Sequence, residues 1–151
     1  PDEKPARSPL HNLLPFLEER LALKIPSDYK YLCEVLELLS EKIIGWGIVE
    51  AEDSDVVLAL DEAIVNAIKH GNKCDPRKSV YIVAELSASG VRVTITDEGT
   101  GFQLREVPDC TADENLERPG GRGLALIKAY MTRVEYNKCG NCITMEKSRT
   151  V

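Results

Sequence analysis

Ser54-Asp55-Val56-Val57-Leu58-Ala59-Leu60-Asp61-Glu62-Ala63-Ile64-Val65-Asn66-Ala67-Ile68-Lys69-His70-Gly71 is the stretch on which the reading of this chain turns. A helix starting near Asp53 or Ser54 and ending at Gly71, a residue suited to the C′ position, is apolar almost all round. Such a helix is buried on most sides. At about 100° per residue, Glu62, Asn66, Lys69 and His70 nevertheless fall in one narrow polar stripe, with Asp61 off it. A polar stripe on a buried helix faces water, a partner or a ligand, because an unpaired buried carboxylate costs on the order of several kcal/mol. On this segment alone, a solvated face and a functional face both remain open.

Working outward, Val80, Ile82, Ala84 and Leu86 alternate in one strand, and Val91, Val93 and Ile95 alternate in the next. Ser87-Ala88-Ser89-Gly90 turns between them. Leu124–Met131 reads as a helix, and 134–138 with 142–147 as a hairpin around Gly140-Asn141. Upstream, Leu21–Ile25 is an alternating strand ended by Pro26. Ser27 caps a helical pattern through Tyr31, Leu32, Val35, Leu36, Leu39, Ile43 and Ile44, which Gly45 and Gly47 end. Its apolar stripe and Trp46 read as core or as a dimer face. The order β-α-α-β-β-loop-α-β-β predicts an α+β two-layer sandwich, with helices on one face of a mixed, mostly antiparallel sheet. Residues 1–18, rich in proline at their start, read as a flexible arm or linker, and 19–151 as one domain.

Two further segments carry chemistry. By period two, Asp97 points to the core side with Val91, Val93 and Ile95. A carboxylate there either caps the next turn or accepts from an exocyclic amine such as that of adenine. Gly99 and Gly101 follow, so backbone can approach a flat ligand closely. Pro119-Gly120-Gly121-Arg122-Gly123 then runs straight into a helix. Glycines at a helix N-terminus free first-turn N–H groups for an anion, although no Walker A lysine follows. Each of these segments also reads as an ordinary turn or helix start.

Composition narrows the field. The chain has 151 residues, with 25 acidic and 19 basic, for a net charge of −6. That balance, with aromatics at 5%, argues against a nucleic-acid backbone or stacking platform. No apolar run is long enough to span a bilayer, and the opening residues lack the apolar region of a secretory signal. Five cysteines, an odd number at irregular spacing, suit a reducing cytoplasm. Cys139-Gly140-Asn141-Cys142 lacks a second ligand pair and reads as structural, with a metal or disulfide role as the lesser alternative.

In combination and order these segments are specific. Glu62-x-x-x-Asn66, then Asp97-x-Gly99-x-Gly101, a variable loop, and Gly121-x-Gly123-Leu124 resemble the N, G1 and G2 boxes of the GHKL (Bergerat-fold) ATPases. The strings 61–71 and 121–127 are similar to those of the anti-sigma factor serine-protein kinases within that superfamily, over roughly residues 20–148. The resemblance implies ATP and Mg²⁺ as cofactors. Asn66 would ligate the metal, a hard cation that takes oxygen ligands. Glu62 would orient or deprotonate a protein serine hydroxyl. Asp97 would accept from adenine N6, with Gly99 and Gly101 giving the ring room. Gly121, Arg122, Gly123 and Leu124 would hold the phosphates. Arg118 would stabilise charge on the γ-phosphate, residues 102–119 would form an ATP lid, and His70 would be a structural or orienting residue rather than a catalyst. The implied partners are a sigma factor and a STAS-domain anti-anti-sigma protein, with no direct nucleic acid, no membrane, and homodimerisation left open. A nucleotide-gated binding module without useful phosphoryl transfer is the alternative. Family members place a Thr near the start of the last strand, where this chain has Asn141-Cys142-Ile143.

Overall fold

The computed structural model describes residues 12–99, 121–137 and 140–150, with backbone only at 121–122. Strand β1 spans Glu18–Pro26, helix α1 Leu32–Gly45 and helix α2 Asp55–Asn66, which continues as a π-helical turn over Ala67–Gly71. Strands β2 (Ser79–Ser87) and β3 (Gly90–Asp97) follow, then helix α3 (Gly121–Tyr130) and strands β4 (Arg133–Tyr136) and β5 (Cys142–Ser148). The sheet order is β1-β2-β3-β5-β4. The α+β two-layer architecture agrees with the sequence reading, with one correction: every strand pairing is antiparallel, so the sheet is not mixed. The crossover through α3 does bring β4 back in the same direction as β3. The β4–β5 hairpin, however, folds β5 in between and separates the two parallel strands.

The period-two alternation of β2 and β3 sends Val80, Ile82, Ala84, Leu86, Val91, Val93 and Ile95 to one face, joined by Ile143 and Met145 of β5. Against them pack Leu39 and Ile43 of α1, Leu60 and Ile64 of α2, Ile68 of the π turn and Ile127 of α3, all at most 2% exposed. Each such side chain contributes about 1.5–3 kcal/mol of burial, which is why α2, apolar on most sides, lies between α1 and α3. The opposite face carries a register row of alternating charge across all five strands, Arg20, Glu85, Arg92, Glu146 and Arg133. Arg92 Nε donates to Glu146 Oε1 at 2.9 Å. That row makes a solvated face.

Two local expectations change. Ser27 does not cap α1. Asp28 caps the short 3₁₀ turn Tyr29–Tyr31 that leads into it, accepting from Lys30 N, while Ser27 is buried and its Oγ donates to the Lys78 carbonyl at 2.9 Å. Helix α3 starts at Gly121 rather than Leu124, so Gly121 and Gly123 lie in its first turn. The C-terminal end of α1 is held twice: Gly47 closes it with φ +69°, and Trp46 Nε1 donates to Glu19 of β1 at 2.8 Å. Val35, Leu39 and Ile43 of its stripe face the core.

Candidate nucleotide site

The polar stripe of α2 is half-buried at Glu62, Asn66 and His70 and exposed at Lys69. After Asn66 the helix widens into the π turn, with Asn72 N donating to the Ala67 carbonyl at 2.9 Å. Such turns concentrate at functional sites, because the extra residue re-aims the chain beyond it. Here it brings Gly71 and Asn72 against the end of β3.

Asp97 ends β3 only 9% exposed. Its Oδ1 accepts from Gly99 N at 2.8 Å. Burial raises its carboxyl from 3.8 to about 6, against the opposing pull of the Gly99 N–H and the Lys78 charge. A β-carbon on Gly71 would overlap the carboxyl carbon and Oδ2, and one on Gly99 would lie 2.7 Å from Oδ1 and 3.1 Å from the Gly71 carbonyl. The carboxylate therefore sits between two bare backbone positions. Gly71 ends the helical stretch as expected, but without a positive φ; that conformation falls on Lys73 (55°) and Cys74 (57°). Glycine at 71 is required by the close approach of Asp97.

The second carboxylate is seated in the same way. A β-carbon on Gly123 would lie 2.6 Å from Glu62 Oε2 and 2.8 Å from its Cδ, so Glu62 lies against the first turn of α3. Glu62 and Gly123 are thus brought together, as are Asp97 and Gly99. Gly121 opens α3, Arg122 follows it, and Leu124 is half-buried. Gly101, Arg118, the 102–119 lid and Cys139 lie outside the described residues. Cys33, Cys74 and Cys142 are free thiols, and Cys142 Sγ accepts from Thr96 Oγ1 at 3.3 Å. Among the described residues no three His, Cys, Asp or Glu side chains gather as a metal cluster.

Two residues beside the site, Asn72 and Tyr136, escape sequence reasoning, and a third, Asn141, takes a role it did not specify. Asn72, fully buried, donates through Nδ2 to Ser27 Oγ (2.7 Å) and the Ser79 carbonyl (2.9 Å) and accepts at Oδ1 from Glu98 N (2.7 Å). Asn141, just before β5, accepts from Asp97 N at 2.9 Å through its carbonyl. Tyr136 faces Ile143 across β4 and β5 and is 40% exposed. Desolvation of the part that is covered, then the negative charges of Asp97 and Glu62, raise its phenol, so it keeps its proton at neutral pH. His70 is lowered, by burial first and then by Lys69 and Lys73, with Glu62 opposing, so it is mainly neutral at pH 7. For Asn72 the only available signal was an Asn directly after Gly71. For Tyr136 it was only an aromatic within the segment read as the first strand of the last hairpin.

Comparison with known proteins places this geometry. The family model described as a histidine kinase-like ATPase domain matches residues 25–147. Serine-protein kinase RsbW of Staphylococcus aureus, strains JH9 and Newman alike, is 28% identical over 138 residues, covering 86% of this chain and 87% of the relative. The crystal structure of the RsbU and RsbW domains of a Mycobacterium tuberculosis protein superposes with a TM-score of 0.59 at 19% identity. The match covers 87% of this chain, which spans about a third (32%) of that longer one. The chain belongs to the histidine kinase-like ATPase domain family.

Proposed function

We propose that this chain is an ATP-dependent serine-protein kinase acting as an anti-sigma regulatory factor. It phosphorylates a serine of a STAS-domain anti-anti-sigma partner and sequesters a sigma factor in the cytoplasm. The observation that carries this reading is the pair of seated carboxylates, Asp97 between Gly71 and Gly99, and Glu62 against the first turn of α3. A binding module needs the first. A phosphotransfer enzyme needs the second as well. The similarity to relatives named serine-protein kinase supports the same choice.

The residues fit the nucleotide and its metal. Asp97 offers an acceptor beside backbone that carries no side chain, which suits the amine edge of a flat base. Asn66, one turn beyond Glu62, offers an amide oxygen of the kind Mg²⁺ takes. The N-terminal turn of α3, with Gly121, Arg122, Gly123 and Leu124, suits phosphate oxygens. Arg118 and Gly101 join the site through the family resemblance. When bound, Mg²⁺ neutralises phosphate charge and aligns the γ-phosphoryl group.

Glu62 takes the proton of the attacking serine hydroxyl as the new O–P bond forms and the bond to the β-phosphate oxygen breaks, leaving ADP. Neutral His70 beside it adds no competing positive charge.

Calorimetric titration of ATP with and without Mg²⁺ tests the assignment. Wild type is expected to bind ATP more tightly with the metal. Asn66→Ala is expected to lose that metal-dependent gain. A gain that survives intact in Asn66→Ala overturns the metal assignment.

A further inference from the structure

We propose that Gly71 and Asn72 are positioning residues for base recognition, together forming the seat that fixes the Asp97 carboxylate and so sets which nucleobase the site accepts. The inference rests on the nucleotide-binding reading above. It extends that reading from the residue that touches the base to the turn that aims it.

The seat has two halves. Gly71 supplies space: the carboxylate occupies the volume a side chain at 71 would fill, and only a bare Cα lets the π turn and the end of β3 meet there. The contact is close on both sides, since a β-carbon on Gly99 would also lie 3.1 Å from the Gly71 carbonyl. Asn72 supplies fixation. It ties the residue after β1 (Ser27), the start of β2 (Ser79) and the turn after β3 (Glu98 N) into one buried knot. Glu98 returns to β2 by accepting from Ser79 N. The residue between Glu98 and the core is Asp97, and the residue after Glu98 is Gly99, whose N–H holds Oδ1. With the chain fixed on both sides of the carboxylate, its lone pairs keep one direction. A single direction is what separates a base presenting an amine from one presenting a carbonyl.

Gly71→Ala tests the space half. Gly71 lies in a helical turn without a positive φ, so backbone conformation alone would admit alanine, and the nearest atoms its β-carbon would meet are those of the Asp97 carboxylate; a cost to packing alone would lower stability and leave the nucleotide ratio unchanged. Affinities for ATP and for inosine triphosphate, which carries a carbonyl in place of the adenine amine, are measured by calorimetry. Wild type is expected to favour ATP by roughly 10- to 100-fold, the range of one hydrogen bond to a charged group. Gly71→Ala is expected to lose most of that ratio. In an Asp97→Ala background it should change the ratio no further, because it acts only through the carboxylate. A folded Gly71→Ala with the wild-type ratio, or effects that add in the double variant, overturns the proposal. Should Gly71→Ala alone fail to fold, rescue by Asp97→Ala supports the seat, and absence of rescue overturns it. Asn72→Ala, folded at low temperature, should also lower the ratio; an unchanged ratio overturns the role of Asn72. Wild type that binds neither nucleotide overturns the functional reading and this inference with it. Wild type that discriminates, with a ratio Gly71→Ala does not touch, overturns this inference alone.

Discussion

Asp97→Asn is expected to make the protein more stable while blunting its site. Burial holds the folded-state carboxyl at about 6 against an ordinary 3.8. A raised acid binds more protons folded than unfolded between those values, so stability falls as pH rises from about 4 to about 6 and stays lower above. Full conversion gives at most about 3 kcal/mol, and solvent reaching the edge of the carboxylate lowers that to about 1–2 kcal/mol. Asparagine keeps the shape, can still accept from Gly99 N, and never ionises. The variant should therefore melt about 3–6 °C above wild type at pH 8, by the usual scaling for a chain of this length. Near pH 4 the two should melt together. Scanning calorimetry from pH 4 to pH 8 reads the gap directly. A gap independent of pH, or a variant less stable than wild type at pH 8, refutes the reasoning. The same variant should bind ATP more weakly, because an amide that turns its donor toward the adenine amine cannot accept from it.

Two further substitutions separate packing from chemistry. Gly123→Ala should leave the fold intact, since the atom it meets is the far end of the flexible Glu62 side chain and alanine favours a helix by up to about 1 kcal/mol; steady-state kinetics should show kcat falling more than ATP affinity. Asn72→Ala should destabilise by about 1–3 kcal/mol, because it removes a fully buried side chain that bonds the partly buried Ser79 carbonyl and Glu98 N–H, and urea unfolding measures that loss.

The fold was legible where a period could be read locally. The alternation of Val80–Leu86 and Val91–Asp97 gave both the strands and their inward face, and the all-round apolar run of 56–68 marked the central helix. The site was legible as residue types in order, which brought Glu62 and Gly123, and Asp97 and Gly99, to attention before their contacts were known. What stayed hidden depends on partners far along the chain. Asn72 bonds to Ser27 and to Glu98, 45 and 26 residues away. Gly71 looked like a helix stop because the carboxylate that excludes a side chain there is Asp97, on another element. Ser27 carried a capping signature, yet the neighbouring Asp28 caps and Ser27 is drawn into the buried Asn72 knot. The all-antiparallel sheet arises from where a hairpin inserts, which no local pattern specifies.

Transfer of the γ-phosphate of labelled ATP to a STAS-domain protein, with Glu62→Ala run beside wild type, tests the central claim most directly. Wild type should place label on a partner serine. Glu62→Ala should bind ATP within a few-fold of wild type and lose about 10²- to 10⁴-fold in rate, the contribution of a general base. ATP binding without label on any STAS protein, unchanged by Glu62→Ala, would contradict the kinase account and leave a nucleotide-gated binding module in its place.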